Sequence, residues 1–598
     1  MKIEFSYKKP AIEELVKQME HEPLGFTKGQ LYSPINDIFL ELNETNFRST
    51  TLNFPFIFNS IKEQESTEDD HCIQLLCDGN SKQITNEVFV KYSPLLDPIR
   101  YLVGKYDISS DSLKNLPTID PSYAHPKIQD YDNTSYVDGF FSYLSSQMLH
   151  NHGFINALDC YGTLIGRKRR FVVDAFDDFE YLTNSEFFLS NKDVLYELTD
   201  AGIQMMGEML EHDSRSKKRK LCLGESLEQL ECDDFSEIEL LNDVFEKNEL
   251  AHKTQFLELT EEVVNALKEE PDSKITERSN ANSHSRSDST TCSSRTSVTR
   301  SSSSSRGSTA ESEDSEDNGS QCSTNSNSDN SGSDSSSNSD EEVCNITIYD
   351  FPSQAIFLEK CDNTLDYLCA HDEDFGNKEL IAALMQVIMS LIAYQKCFEF
   401  QHNDLHTNNI MFVSTKKQFI YYKVNDSHYK VPTYGRIFKI IDFGRATYKF
   451  RGHNICSDSF HKDGDAHTQF NFGRHYNKDR PRLEPNFSFD LCRLGTSLID
   501  FLTEDLDDIK SSKDPVVLLV SEWCEDDKGR NILWKSNGDE RYPGFKLYKM
   551  IARTVSKHTP LSQLERPIFQ KFKCARKNIK KGSNIMNIDI LPSYVNCD

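Results

Sequence analysis

The sequence lacks the features of several protein classes. Its 16 cysteines include no pair with C-x-x-C spacing, so neither a structural zinc site nor a disulfide framework is indicated, and a reducing compartment is favoured. Residues 1–5 begin no apolar run of the signal-peptide type. The most apolar predicted helix, residues 380–394, is shorter than the roughly 20 residues of a membrane span. We therefore expect a soluble intracellular protein with no membrane partner.

Basic residues are too few to balance the acidic ones. The chain has 67 Lys and Arg residues against 95 Asp and Glu residues, which gives a formal net charge of −28. Such an excess of negative charge repels a phosphate backbone, so nucleic acid is not an expected partner. Two basic runs, residues 215–220 and 571–581, are local exceptions. Each is interpreted either as a nuclear localisation signal or as a solvated charge run, which leaves a nuclear location open.

Aromatic residues are absent from a long segment in the middle of the chain. Residues 279–342 consist almost wholly of Ser, Asp, Asn, Glu, Thr and Arg. Such a segment cannot bury enough apolar surface to offset its ordering entropy, so we expect it to be disordered. Its serines lie among acidic residues, which predicts either a substrate for phosphorylation or a solvated spacer.

Periodic segments flank this stretch. Before it, two strand-like runs around a turn at residues 78–81 predict a hairpin, and apolar residues at every fourth position then predict a helix over 134–149. Two more strand-like runs follow within residues 154–173, which completes a small sheet with one helix. After the low-complexity segment, the pattern predicts a strand at 355–358, a helix cap at 362–364, and helices over 379–395, from Phe489, and over 545–555.

Residues 401–447 are the most informative stretch. Asp404 lies in a short loop, Asn409 follows five residues later and leads into an apolar strand, and Asp442 begins an Asp-Phe-Gly sequence after a second apolar strand. The pattern resembles the catalytic loop and the metal-binding loop of the protein kinase superfamily. The resemblance implies that Asp404 orients a substrate hydroxyl or accepts its proton, and that Asn409 and Asp442 hold Mg²⁺. The alternative is that Asp404 and Asn409 only cap turns. An extended hairpin is predicted at residues 421–436, between the two loops.

Other stretches of the sequence extend the resemblance. Asp490 and Gly495 resemble the start of the helix whose aspartate supports the catalytic loop of protein kinases, with a plain N-cap as the alternative for Asp490. Residues 483–485 take the place of the family's Ala-Pro-Glu without matching it. The stretches most similar to one particular group, the serine/threonine kinases of large DNA viruses of the mimivirus and iridovirus type, are residues 91–98, 402–411, 485–494 and 541–554.

This resemblance also implies a nucleotide site. Lys91 is the strand lysine that contacts the phosphates of ATP, whereas the alternative is an exposed strand lysine. The glutamate that usually pairs with this lysine is missing from the predicted helix, and Asp138 is the nearest substitute. Glu359 to Cys361 form the hinge whose backbone meets adenine. This hinge places the low-complexity segment within the kinase fold, as a long surface loop.

Several positions depart from the family pattern. No G-x-G-x-x-G precedes Lys91, and Gly79 is alone in its predicted turn. Asn403 replaces an arginine that usually receives a phosphorylated activation loop. His406 replaces the lysine of serine/threonine kinases and is similar to small-molecule kinases of the aminoglycoside and choline kinase type, although those generally lack the Phe-Gly after the metal-binding aspartate. A small-molecule phosphotransferase and a non-catalytic pseudokinase scaffold therefore stay open as alternatives.

Together these observations predict an α+β, bilobal protein-kinase-like fold with a long disordered insertion in the small lobe. The expected divisions are an N-terminal extension (1–50), the first part of the N-lobe (51–195), the insertion (196–343, disordered from about residue 279), the last N-lobe strand with the hinge (344–361) and the C-lobe (362–592). The expected activity is transfer of the γ-phosphoryl group of ATP, with Mg²⁺ or alternatively Mn²⁺, to hydroxyls of a protein substrate, with Ser or Thr favoured over Tyr. A viral protein of this kind would act in the host cytoplasm or the virion. No oligomeric state is indicated.

Overall fold

The computed structural model describes residues 6–62, 72–79, 83–199, 202–204, 344–503 and 506–596. Three predicted features lie outside these residues: the Ser-rich segment, the basic run at 215–220, and the tip of the turn at 78–81. Within the described residues the protein is a mixture of α-helices and mainly antiparallel sheets around one hydrophobic core.

Most of the strands up to residue 359 belong to the largest sheet. In chain order they are β1 (Tyr7–Lys8), β2 (Phe26–Gln30), β3 (Thr51–Leu52), β4 (Phe56–Ile61), β5 (Cys72–Gly79), β6 (Gln83–Pro94), β7 (Cys160–Asp174), β8 (Tyr196–Leu198) and β9 (Asn345–Glu359). Seven of them form one antiparallel sheet in the order β2-β7-β9-β6-β5-β4, with β8 paired to β9 as well, and β1 and β3 pair with each other. The predicted hairpin is confirmed as β5 and β6. The sheet is larger than expected, because β2 joins it from the predicted N-terminal extension.

One prediction for this sheet is wrong. The two strand-like runs expected within residues 154–173 are a single long strand, β7. It pairs with β9 from Cys160 opposite Leu358 to Asp174 opposite Asn345. The basic middle of the strand, residues 167–170, looks like a break between two strands in the sequence. Pairing with β9 keeps it extended, since backbone hydrogen bonds do not depend on side-chain polarity.

The first group of helices lies between these strands in the sequence. They are α1 (Glu13–Met19), α2 (Pro34–Asp37), α3 (Pro98–Leu102), α4 (Pro126–Gln129), α5 (Thr134–His152), α6 (Phe179–Thr183) and α7 (Glu186–Ser190). The predicted helix is α5, whose N-cap Asn133 accepts a hydrogen bond from the amide of Ser135 and whose C-cap Gly153 is left-handed at φ 64°. A Cβ on Gly139 would lie 2.1 Å from Nε2 of Gln354 in β9. The glycine therefore lets α5 approach the sheet closely.

The chain after residue 359 alternates helices with short strands. The strands are β10 (Asn363–Thr364), β11 (Ile410–Ser414), β12 (Phe419–Val424), β13 (Ser427–Pro432), β14 (Arg436–Ile440), β15 (Thr447–Phe450), β16 (His453–Cys456), β17 (Lys573–Cys574) and β18 (Met586–Asn587). The helices are α8 (Leu365–His371), α9 (Asn377–Phe398), α10 (Phe489–Leu502), α11 (Leu506–Ser511), α12 (Pro515–Trp523), α13 (Lys546–Thr554), α14 (Pro560–Gln563) and α15 (Pro567–Gln570). Thr364 is the N-cap of α8, as predicted. The predicted hairpin is confirmed as β12 and β13, which turn at the positive-φ residues Asn425 and Asp426.

The helix α9 corrects one expectation and supports another. It is 22 residues long, so the prediction that it is too short for a membrane span is wrong. Among the described residues it is the one helix long and apolar enough for such a span. Its most apolar stretch of 18 residues is 94% buried in the protein. That burial is consistent with the central helix of a soluble protein.

Candidate active site

Two paired strands bring the predicted loops together. β11 pairs with β14 so that Ile410 lies opposite Ile440. Asn409 immediately precedes β11, Asp442 follows β14 by two residues, and the amide of Ile441 donates a 3.0 Å hydrogen bond to the carbonyl of Asn409. The two predicted metal ligands are therefore held at the same end of a strand pair, although 33 positions separate them in the sequence (442 − 409).

Lys91 connects the large sheet to the loop that follows this strand pair. Its side chain is 7% exposed, so the alternative of an exposed strand lysine is wrong. Nζ lies 2.6 Å from Oδ2 of Asp138 on α5 and 2.9 Å from Oδ1 of Asp442. Burial alone would lower the pKa of Lys91, but the two carboxylates outweigh it and raise the pKa above its usual value. Lys91 in turn holds the pKa of Asp442 below its usual value against the effect of burial.

Asp138 also fixes the backbone of the second loop. Its Oδ1 accepts a 2.9 Å hydrogen bond from the amide of Phe443. The Phe443 ring is fully buried and packs on Phe141 of the same helix, with 4.7 Å between the ring centroids. In the sequence, Asp138 was only the nearest substitute for the usual glutamate. In the structure it contacts both Lys91 and the loop that carries Asp442.

Asp404 lies in a dense polar cluster. Its Oδ1 accepts a 2.7 Å hydrogen bond from the hydroxyl of Tyr548, and Nε of Arg493 is 3.7 Å from the same oxygen. Nη1 of Arg445 is 3.9 Å from Oδ2. Burial would raise the pKa of Asp404, but Arg445, the nearby His406, Arg493 and the Tyr548 hydroxyl together hold it well below its usual value. The carboxylate is therefore ionised at neutral pH.

Asp490 supports the loop that carries Asp404. It is fully buried on α10, and its two carboxylate oxygens accept 2.9 Å hydrogen bonds from the amides of His402 and Asn403. The N-cap of α10 is Ser488, so the interpretation of Asp490 as a plain N-cap is wrong. Asn403 has a left-handed backbone at φ 64°, and its side-chain amide donates to the carbonyl of Arg445 at 3.0 Å. This hydrogen bond is a second contact between the loop that carries Asp404 and the loop that carries Asp442.

His406 and Asn409 contact each other next to Asp404. Nδ2 of Asn409 donates a 2.9 Å hydrogen bond to the carbonyl of Asp404 and lies 3.1 Å from Nε2 of His406. Burial lowers the pKa of His406 to about 4, with the Asp404 carboxylate opposing this in part. The imidazole is therefore neutral at physiological pH and can accept the amide hydrogen. Both contacts engage Nδ2 of Asn409, so its Oδ1 is the atom that could bind a cation.

The predicted hinge residues are held by contacts of their own. The carboxylate of Glu359 pairs with Lys439 on β14 and accepts a 2.8 Å hydrogen bond from the amide of Asp159. The amide of Glu359 donates to the carbonyl of Asp159 at 3.1 Å. Cys361 is buried, which raises the pKa of its thiol. The carboxylate of Glu359 is therefore engaged by Lys439 and by the backbone of Asp159, and the resemblance assigns nucleotide contact to the backbone of this segment.

Four residues of the site were not identified from the sequence. Tyr548 lies on α13 and Arg493 on α10, Arg445 directly follows the Asp-Phe-Gly sequence, and Asp465 pairs with Arg445 through its carboxylate. The Arg445 guanidinium also lies 5.7 Å from the ring centroids of both Tyr548 and Phe545. Of these residues, only Arg445 gave a signal in the sequence, by its position directly after the Asp-Phe-Gly motif. The contacts of Tyr548 and Asp465 arise from the fold.

The donor set fits a hard divalent cation shared with phosphates. Asn409 and Asp442 offer amide and carboxylate oxygens, the ligand types that Mg²⁺ prefers while it keeps waters and phosphate oxygens. No group of three or more His, Cys, Asp or Glu side chains among the described residues could hold a metal ion by itself. A site of this kind would need the substrate phosphates to complete it. Comparisons with protein-family models and with curated proteins found no match to this chain.

Proposed function

We propose that this protein is an ATP- and Mg²⁺-dependent protein kinase with a bilobal, kinase-like fold. The small lobe would be the seven-stranded sheet with α5, and the large lobe residues 362–592. One observation carries the proposal: a buried lysine, Lys91, contacts both the helix carboxylate Asp138 and the loop carboxylate Asp442. Burying three charged groups costs free energy that only close pairing between them can offset. Ionisable clusters with shifted pKa values of this kind concentrate at functional sites.

The residues around Asp404 support a role in orienting an acceptor hydroxyl. A carboxylate with a low pKa is a weak base, so Asp404 would position the hydroxyl first and take its proton late in the transfer. The acceptor oxygen would form a bond to the γ-phosphorus of ATP while the bond from that phosphorus to the β,γ-bridging oxygen breaks. Bound Mg²⁺ would neutralise charge on the phosphates. Lys91 would contribute a fixed positive charge, and Asn409 and Asp442 would hold the cation.

The sequence between β4 and β5 favours a second candidate, a non-catalytic scaffold. Residues 62–71 contain no glycine and five acidic residues, namely Glu63, Glu65, Glu68, Asp69 and Asp70. No G-x-G-x-x-G precedes Lys91 either, so the sequence offers no glycine-rich loop to cover the phosphates of ATP. A thermal-shift measurement with Mg-ATP separates the two candidates, since a bound ligand raises the melting temperature by mass action. No shift at millimolar nucleotide would favour the scaffold.

The direct test is phosphoryl transfer from radiolabelled ATP by the purified full chain, followed by phosphoamino-acid analysis. Generic protein acceptors and low-molecular-weight alcohols should be offered side by side. The proposal expects label on protein Ser or Thr and its loss in Asp404→Ala and Asp442→Ala variants that keep the wild-type melting profile. Equal labelling by these variants would refute it, and label confined to small alcohols would establish a small-molecule phosphotransferase.

A further inference from the structure

Four basic side chains cluster between α13 and the segment that follows the Asp-Phe-Gly loop. Lys549 and Arg553 lie four residues apart on one face of α13. Arg553 donates a 2.6 Å hydrogen bond to the carbonyl of Thr468 and a 2.7 Å bond to the carbonyl of Lys549. This brings α13 against the segment that carries His467, and Nδ2 of Asn471 in the same segment donates a 2.9 Å hydrogen bond to the carbonyl of Arg480. We call these four residues, Lys549, Arg553, His467 and Arg480, the cationic cluster.

The cationic cluster is not neutralised by carboxylates. Within the described part of the chain none of its four members forms a salt bridge, and Asp463 is the acidic neighbour of His467. Burial and the repulsion by Arg553 and Arg480 lower the pKa of Lys549, and burial and Arg480 lower that of Arg553. An unpaired positive cluster is unexpected in a chain with a net charge of −28. Concentrated like charge that costs stability indicates a surface built for an anionic ligand.

Short contacts connect this cluster to the candidate catalytic carboxylate. Nζ of Lys549 lies 5.6 Å from the centroid of the Phe545 ring. That ring stacks on Tyr548 with 5.0 Å between centroids, and the Tyr548 hydroxyl donates the 2.7 Å hydrogen bond to Asp404. The stacked rings of Phe545 and Tyr548 therefore connect Lys549 to Asp404. A peptide whose hydroxyl reaches Asp404 would extend its neighbouring residues over this surface.

We propose that the cationic cluster binds acidic residues next to the acceptor hydroxyl, so that the substrate is a Ser- or Thr-containing acidic peptide segment. This inference rests on the proposed kinase function and names its substrate class. A nucleic acid is a poorer fit, because the surrounding protein is strongly acidic and a polynucleotide would extend well beyond four cations. The chain's own residues 309–320 have the required character, with Ser312 and Ser315 between acidic residues.

The test uses three synthetic peptides and matched variants of the full chain. The first peptide copies residues 309–320, the second has Gln and Asn in place of Glu and Asp, and the third has Lys in those places. The charge-reversal variant is Lys549→Glu/Arg480→Glu, and Lys549→Gln/Arg480→Gln is a milder form. The control is Lys9→Glu/Lys17→Glu, which makes the same charge change on exposed lysines of the N-terminal part.

We expect the wild type to prefer the acidic peptide and the charge-reversal variant to raise its KM about tenfold, with kcat nearly unchanged. The neutral peptide and the control variant should show no such change. Equal KM values for the acidic peptide in the wild type and both cluster variants would overturn the inference. Preference of the wild type for the neutral or the basic peptide would do so as well.

Binding of the labelled acidic peptide, followed by fluorescence anisotropy, tests the cluster without catalysis. If no acceptor is phosphorylated but the peptide binds and the charge-reversal variant loses it, the kinase function fails while the anion-binding surface stands. If a single-stranded RNA oligonucleotide binds through the cluster and the acidic peptide does not, the surface is a nucleic-acid site and the inference is wrong.

Discussion

Oδ2 of Asp138 lies 2.6 Å from Nζ of Lys91, while Oδ1 of the same carboxylate accepts the amide hydrogen of Phe443. One side chain on α5 therefore contacts both a strand of the large sheet and the loop that carries Asp442. Helix, strand and loop cannot move independently without breaking a buried charged contact. Asp138 does with a short side chain what the protein kinase resemblance assigns to a glutamate, and Gly139 lets the helix lie close enough for it.

The first prediction concerns this pair. Asp138→Ala should destabilise the protein by about 3–5 kcal/mol, because it leaves Lys91 buried with one carboxylate instead of two. Lys91→Met should lower stability as well and should abolish any response to Mg-ATP. The double variant Lys91→Met/Asp138→Ala should lose less than the sum of the two single variants, because no unpaired charge of this pair remains. Urea unfolding of all variants measures this coupling, and strict additivity would show that the contact carries no net interaction.

The second prediction concerns Tyr548. Tyr548→Phe removes the hydrogen bond to Asp404 and keeps the stacked ring, so the pKa of Asp404 should rise toward its usual value. A hydrogen bond to a charged group contributes about 1.5–3 kcal/mol, so kcat should fall about tenfold or more. The acid limb of the pH–rate profile should move to higher pH, because the ionised form is needed. A variant with higher activity than the wild type would instead mean that Tyr548 occupies the position of the acceptor hydroxyl.

The third prediction concerns acid stability. Asp458 is buried and pairs with Lys127, which together with hydrogen bonds from Thr134 holds its pKa below the usual 3.8 despite burial. A folded-state pKa below the unfolded value contributes stability above about pH 4, and this is lost as the pH falls through the folded-state value. Lys127→Met raises the folded-state pKa, so acid unfolding should begin at higher pH.

The control for this prediction is Lys360→Met. Lys360 pairs with Glu87, but both side chains are more than two-fifths exposed, and such surface pairs contribute little. Circular dichroism across an acid titration should therefore separate Lys127→Met from both the wild type and Lys360→Met. Coincident transitions for all three proteins would contradict the assigned role of the Lys127–Asp458 pair.

The sequence revealed those parts of the site that are local in the chain. Asp404 and Asn409 are five residues apart, and Asp442 follows an apolar strand, so type and spacing were enough to single them out. The contacts that orient these residues could not be predicted from local patterns, because Tyr548 is 144 positions from Asp404 and Lys91 is 47 positions from Asp138. The strand β7 shows the same limit, because its charged middle is extended only through its pairing with β9. Local patterns predicted elements, and tertiary contacts decided their lengths and partners.

The last prediction concerns Gly464, in the segment between the Asp-Phe-Gly loop and α10. A Cβ at this position would lie 2.1 Å from the carbonyl oxygen of Ser459, a backbone atom that cannot rotate away. Gly464→Ala must therefore shift this segment and with it Asp465, the partner of Arg445. Because Arg445 is also beside Asp404, activity should fall at least tenfold while the melting temperature changes by only a few degrees. Gly376→Ala is the matched control, since its nearest neighbour would be a flexible Glu379 carboxylate oxygen at 3.5 Å. Wild-type activity in Gly464→Ala would show that the Arg445–Asp465 pair does not position the site.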